Sequence, residues 1–151
     1  MSPRPGISER SLPIMLLRAR EAVMQRFRPM LKAHGLSEQQ WRVLRVLDES
    51  GPTAPTQLAA ECVILMPSLT RILAHLEAEG LIHRQLQKAD KRRQIAALSD
   101  RGRNLIARIS PESAAIYAAL EGDFGADNLQ DMMAALRTLI ATLNEQPQTG
   151  Q

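Results

Sequence analysis

At 151 residues the chain holds one domain's worth of sequence, with 44% apolar residues, 3% aromatics and seven Met. That composition excludes a disordered chain and points to aliphatic helix packing. The formal charge is only +3, the single Cys excludes an internal disulfide framework and a multi-Cys metal site, and no apolar run is long enough to span a bilayer.

The first ten residues, MSPRPGISER, are polar, with two Pro and one Gly. They lack the apolar stretch of a secretory signal, so a loose arm and a cytoplasmic protein are expected. From Leu12 the apolar residues recur at helical spacing through Leu16, Ala19, Val23, Phe27, Met30 and Leu31. Pro29 predicts a bend near the end of this helix, and His34-Gly35 a stop. Ser37-Glu38-Gln39-Gln40 has the form of a capping box, opening a helix that buries Trp41, Leu44 and Leu47 and ends near Ser50-Gly51-Pro52. A short helix follows from Pro55-Thr56, and Cys62 to Leu65 forms a turn. The next helix begins around Pro67, carries Leu69, Ile72, Leu73 and Leu76 inward, and stops at Gly80.

Leu81–Leu86 and Gln94–Leu98 read as two strands joined by a turn at Lys88–Arg93. Ser99 is positioned to cap a long helix from Asp100 past Tyr117, with a kink or break expected at Pro111. Gly122 and Gly125 end that region, and Asp127 is expected to cap the last helix. Leu129, Met132, Met133, Leu136, Leu139, Ile140 and Leu143 mark one face of it, the cleanest amphipathic signal in the chain.

Charge is unevenly spread. Arg84 to Arg103 holds seven basic residues against Asp90 and Asp100, a net of +5, which leaves −2 for the rest. A helix bearing Ser68, Thr70 and Arg71, followed by a hairpin with a basic tip, describes a winged helix-turn-helix: mainly α with a small β-wing. Arg71 suits guanine O6 and N7, and the hydroxyls suit bases or phosphates. Thr56 and Gln57 open the preceding helix, where side chain and backbone N–H groups suit phosphate. Simple capping is the competing reading for Ser68 and Thr56, as a solvated turn is for the basic run. The helices at 12–33 and 100–145 lie outside this 37–98 module. Their apolar stripes call for packing against each other and a second copy, giving a homodimer suited to a palindromic double-stranded operator. No Gly-rich phosphate loop and no nucleophile–base pairing is evident, so no enzyme and no cofactor are expected.

In this order of elements, from about Leu12 to Leu143, the chain resembles the MarR family of bacterial transcriptional regulators. Pro67-Ser68-Leu69-Thr70-Arg71 with Leu76-Glu77-Ala78-Glu79-Gly80-Leu81-Ile82 is similar to the family's recognition helix and its exit. Asp90-Lys91-Arg92-Arg93 with Leu98-Ser99-Asp100-Arg101-Gly102 is similar to its wing signature. Leu17–Ala22, Phe27-Arg28-Pro29 and Leu36–Arg45 resemble the branch that represses homoprotocatechuate (hydroxyphenylacetate) degradation operons. One departure is Leu65-Met66, where members often carry Ser-Arg before the recognition-helix Pro.

The resemblance implies a single domain over 1–151 with N- and C-terminal dimerisation helices, and a DNA-contacting set of Thr56, Gln57, Pro67, Ser68, Thr70, Arg71, Lys88, Asp90, Arg92 and Arg93. Arg92 would enter the minor groove, oriented by Asp90, with Lys88 and Arg93 on phosphates. It also implies a ligand-released repressor whose effector, a small aromatic carboxylate, sits among Arg20, His34, Trp41 and Arg45. The plain alternative makes Trp41 core and Arg20 a helix salt-bridge partner. A redox sensor acting through Cys62 and a helical protein-interaction module are the other readings. Apolar neighbours around Cys62 favour an inert thiol, and His34, His75 and His83 lack metal-ligand spacing.

Overall fold

The computed structural model describes residues 6–86 and 93–145. In chain order these form α1 (Ile7–Arg10), α2 (Leu12–Ala33), α3 (Glu38–Ser50), α4 (Pro55–Cys62), α5 (Met66–Ala78), β1 (Ile82–Leu86), β2 (Gln94–Leu98), α6 (Asp100–Phe124) and α7 (Ala126–Glu145). They fall into two compact units divided between Ser113 and Ala114.

The helix starts follow from local hydrogen bonding. Ser11 accepts from the Ile14 N–H to open α2. The capping box at α3 is complete: Ser37 Oγ accepts from the Gln40 N–H, and Gln40 Oε1 accepts from the Ser37 N–H. Gly35, Gly51 and Gly80 take positive φ where helices end. Ser99, just before α6, caps its first turn, its hydroxyl accepting from the Gly102 N–H and donating to the Gly80 carbonyl.

The core of the first unit gathers one stripe from each element. Leu31, Leu44, Leu58, Leu73 and Ile109 come from α2 to α6 in turn, and Ile82 from β1; all are almost completely buried. The strands pair antiparallel, from Ile82 opposite Leu98 to Leu86 opposite Gln94. Thr53 adds a single-residue bridge, exchanging both backbone hydrogen bonds with Ala96. That bridge ties the α3–α4 connection to the wing and has no pattern in sequence to announce it. In the second unit, α7 buries none of its side chains. Leu129, Leu136 and Leu139 are half-buried, and Met132, Met133, Ile140 and Leu143 are exposed. In the first unit Leu12, Met15, Leu16 and Leu17 of α2 are exposed as well.

Several expectations need correcting. Ile7–Arg10 is a turn of helix, not loose chain. Pro111 neither breaks nor ends α6, which runs through it to Phe124, and Gly122 lies inside the helix. Asp127 is not the cap of α7. That helix starts at Ala126 after Gly125 (φ 100), whose carbonyl accepts from the Leu129 N–H. Asp127 instead sits in the first turn, where its charge complements the helix dipole. Trp41 is half-buried, not core. No single described helix is long and apolar enough to cross a membrane.

Candidate nucleic-acid interface

The turn Val63–Leu65 sets α5 after α4. The apolar stripe Leu69, Ile72, Leu73 and Leu76 pins α5 to the core, which leaves the opposite face outward. Ser68 is half-exposed, and Thr70 and Arg71 are exposed. The N-cap residue is Leu65, which makes no side-chain cap, and Pro67 lies within the first two positions. Ser68 therefore does not occupy the cap position. Thr70 donates its hydroxyl proton to the Met66 carbonyl (2.9 Å), so that donor is used inside the helix. Arg71 makes no hydrogen bond or ion pair with any described residue. Its guanidinium is held on an outward helix face with all its donors available.

At the start of α4, Pro55 leads the helix, and Ala54 supplies no side-chain cap. Thr56 and Gln57 are exposed in the first turn, and the Gln57 amide donates to Glu61. Thr56 shares a groove with Ala54, Pro55, Arg93 and Gln94. The fold thus brings the α4 start and the base of the wing together. Lys88, Asp90 and Arg92 lie outside the described residues.

The basic segment is narrower in effect than its composition implies. Arg84 makes a two-pronged pair with Glu77 of α5, both contacts at 3.2 Å, and this bond holds the Glu77 carboxyl below its ordinary pKa. Arg103 pairs with Asp100 and donates to the Leu98 carbonyl. Arg84 thereby ties β1 to α5 and Arg103 ties α6 to the end of β2; of the two partners only Glu77 lies outside the segment that sums to +5.

The four residues expected around an effector are distributed over separate contacts. Trp41 and Arg45, one helical turn apart on α3, form a unit: the guanidinium lies 5.8 Å from the ring centroid. Arg20 pairs with Glu38 (3.0 Å). Glu38 also accepts from Arg28, which in turn pairs with Glu21. His34 Nε2 lies 2.9 Å from Glu112 Oε2 and borders a cavity of about 330 Å³ with His75, Glu79, Arg101 and Arg108.

The sequence reading missed the Arg20–Glu38–Arg28–Glu21 chain; the only available signal was the seven-residue spacing of Glu21 and Arg28 along one helix face. The Arg28 hydrogen bond is the main reason that Glu21 and Glu38 titrate below the ordinary 4.5. Depressed carboxylates stabilise the fold above their unfolded pKa, and that contribution is lost as pH falls through the folded value. Glu38→Gln is therefore expected to melt below the wild type at pH 7 and to converge with it only as the pH falls through the lowered folded pKa of Glu38, as followed by circular dichroism.

Cys62 is completely buried, and its Sγ lies 3.8 Å from the Arg42 carbonyl, while Arg42 donates back to the Cys62 carbonyl (2.8 Å). Burial pushes its thiol pKa up. A protonated, inaccessible thiol is a poor redox sensor.

Comparison with known proteins places these features in context. The family model described as MarR family matches residues 36–93. The homoprotocatechuate degradative operon repressor of Escherichia coli is 40% identical over 134 residues, covering 89% of this chain and 90% of that protein. NadR, solved in complex with 4-hydroxyphenylacetate, is 38% identical with a TM-score of 0.78, over 88% of this chain and 99% of that one. The transcriptional repressor CouR, solved on a 23-mer DNA duplex, is 28% identical with a TM-score of 0.82, over 93% and 99%.

Proposed function

The chain belongs to the MarR family of DNA-binding transcriptional regulators, and on that footing we propose that it is a homodimeric repressor released from its operator by a small aromatic carboxylate. The observation that carries the reading is α5: an amphipathic helix anchored by four buried apolar residues, with Arg71 on its outward face unpaired among the described residues, beside a two-stranded wing. In this account Ser68, Thr70 and Arg71 meet base edges in the major groove, and Pro67 sets the entry of the helix. Thr56, Gln57, Lys88 and Arg93 meet phosphates, and Arg92, oriented by Asp90, enters the minor groove. The relatives named above are transcriptional repressors and regulators. The protein acts on DNA in the cytoplasm.

Residues 37–98 form the reading head, and the helices at 12–33 and 100–145 are assigned to dimerisation. Support comes from the apolar side chains that α2 and α7 leave exposed, Leu16, Leu17, Ile140 and Leu143 among them. A two-fold dimer presents two recognition helices to a palindromic site.

The effector assignment centres on Trp41 and Arg45. A ring and a guanidinium one turn apart offer an aromatic acid a flat apolar wall and a carboxylate partner. Arg20 and His34 are assigned to the flanks. The ligand of NadR and the name of the Escherichia coli repressor both support a phenylacetate-type acid. Such a ligand releases DNA by favouring a protomer spacing that mismatches the half-sites, and only its differential affinity for the two spacings drives the change.

The test is fluorescence anisotropy on the DNA flanking the protein's gene over a range of salt. A steep fall in affinity with salt is expected, because bound phosphates release counterions. A salt-independent signal, or no specific binding, would favour a protein-interaction module instead.

A further inference from the structure

We propose that Leu65 and Met66, where the chain enters α5, read the C5-methyl groups of thymines in the major groove. The proposal rests on the DNA-binding reading of α5 given above and names what an adjoining apolar patch would recognise there.

Four consecutive apolar residues, Val63 to Met66, form the turn and the first helical position. Ile64 is covered by the core, whereas Val63 is 85% exposed, Leu65 79% and Met66 40%. These side chains are held outward by a fixed backbone. The Val63 N–H donates to the Ala60 carbonyl (3.3 Å) and the Ile64 N–H to the Ala59 carbonyl (3.0 Å). Val63 sits at φ 56, a left-handed conformation that a β-branched residue enters only at a cost. The strain and the exposure fall on the same short turn.

Position selects the occupant. Leu65 is the N-cap of α5 and Met66 its first residue, so the patch is continuous with Ser68 and Arg71. Met66 and Thr70 lie four apart on one face, and the Thr70 hydroxyl proton is already given to the Met66 carbonyl. Glu61, the nearest carboxylate in the preceding helix, accepts from Gln57. Neither Leu nor Met offers a useful hydrogen bond to a base. Among the base edges of the major groove the distinctive apolar feature is the thymine methyl, and burying it against an aliphatic or thioether chain removes both surfaces from water.

The operator bound by the wild-type protein is made in two forms, one with thymine and one with deoxyuridine in the half-sites. The second lacks only the methyl groups. Wild type is expected to bind the uracil form more weakly, by about fourfold for each methyl buried. Leu65→Ala/Met66→Ala is expected to bind both forms equally while melting like the wild type, because both side chains are exposed. Equal wild-type affinity for the two forms would overturn the assignment, as would the same thymine preference surviving in the double variant. Failure of the wild type to bind the thymine form at all would overturn the DNA-binding reading itself, and this assignment with it.

Discussion

Gly102→Ala is expected to destabilise the protein by about 3 kcal/mol or more, lowering the melting temperature by about 10 °C. The reason is a backbone contact. A Cβ at position 102 would stand 2.2 Å from the Leu81 carbonyl oxygen and 3.2 Å from Leu98 Cδ2. The Leu81 oxygen is itself held, accepting from the Ser99 N–H at 3.0 Å. Ser99 in turn bonds to Gly80 and Gly102, so the carbonyl and the start of α6 are locked together. Relief requires moving α6 away from the exit of α5 or breaking the strand pairing. The same substitution at Gly122, in the same helix, meets nothing within 4 Å. Gly122→Ala is therefore expected to stabilise, by about 0.5–1 kcal/mol through helix propensity alone. Thermal melts of the two variants check the pair; equal and small effects would refute the close approach at Gly102.

Arg71→Ala is expected to weaken operator binding by about 1–3 kcal/mol at each half-site, roughly 30-fold or more for the dimer. The guanidinium is exposed and unpaired among the described residues, so its removal leaves folding within about 0.5 kcal/mol of the wild type. The signature lies in specificity. If Arg71 holds guanine O6 and N7, the variant loses preference at one base pair in each half-site and keeps it elsewhere. Arg71→Lys is expected not to restore that preference, because an ammonium lacks the planar fork. Arg92→Ala, by contrast, is expected to weaken all operator variants alike. A binding series over single-base-pair operator mutants separates the two. Uniform loss in Arg71→Ala would move that residue to the phosphates.

Several helix limits were legible from a capping side chain or a glycine, though Gly122 and Asp127 misled. Ser37 and Gln40 announce α3, Gly80 ends α5, and β2 falls at Gln94–Leu98 as expected. Pro111 was a weaker guide, since it marks no break in its helix. Pro29 and Pro111 both stand inside continuous helices. In each case the proline and the residue four before it, Gln25 and Ala107, are exposed, so water can serve the carbonyl left without a partner. The exposure that lets these helices run on through a proline is a property of the fold that a sequence does not display.

The candidate site was legible in part for a similar reason. Outward residues of α5 follow from its apolar stripe, which is a local pattern. The partners that neutralise Arg84 and Arg20 lie at other points of the chain and appear only on folding: Glu77 by the return of β1, Glu38 by the approach of α3 to α2. A count along the basic segment therefore missed Glu77, which offsets the charge of Arg84. The Gly in the Leu98–Gly102 motif was read as a signature, and the structure supplies its cause in the Leu81 carbonyl.

The measurement that tests the central claim most directly is fluorescence anisotropy on the DNA flanking the protein's own gene, with and without 3,4-dihydroxyphenylacetate or 4-hydroxyphenylacetate. Tight, salt-sensitive binding that one of these acids reverses in the wild type, and does not reverse in Arg45→Ala, is the result a ligand-released repressor predicts. Tight binding indifferent to both acids would contradict the effector assignment at Trp41 and Arg45, and absence of specific binding would contradict the repressor itself.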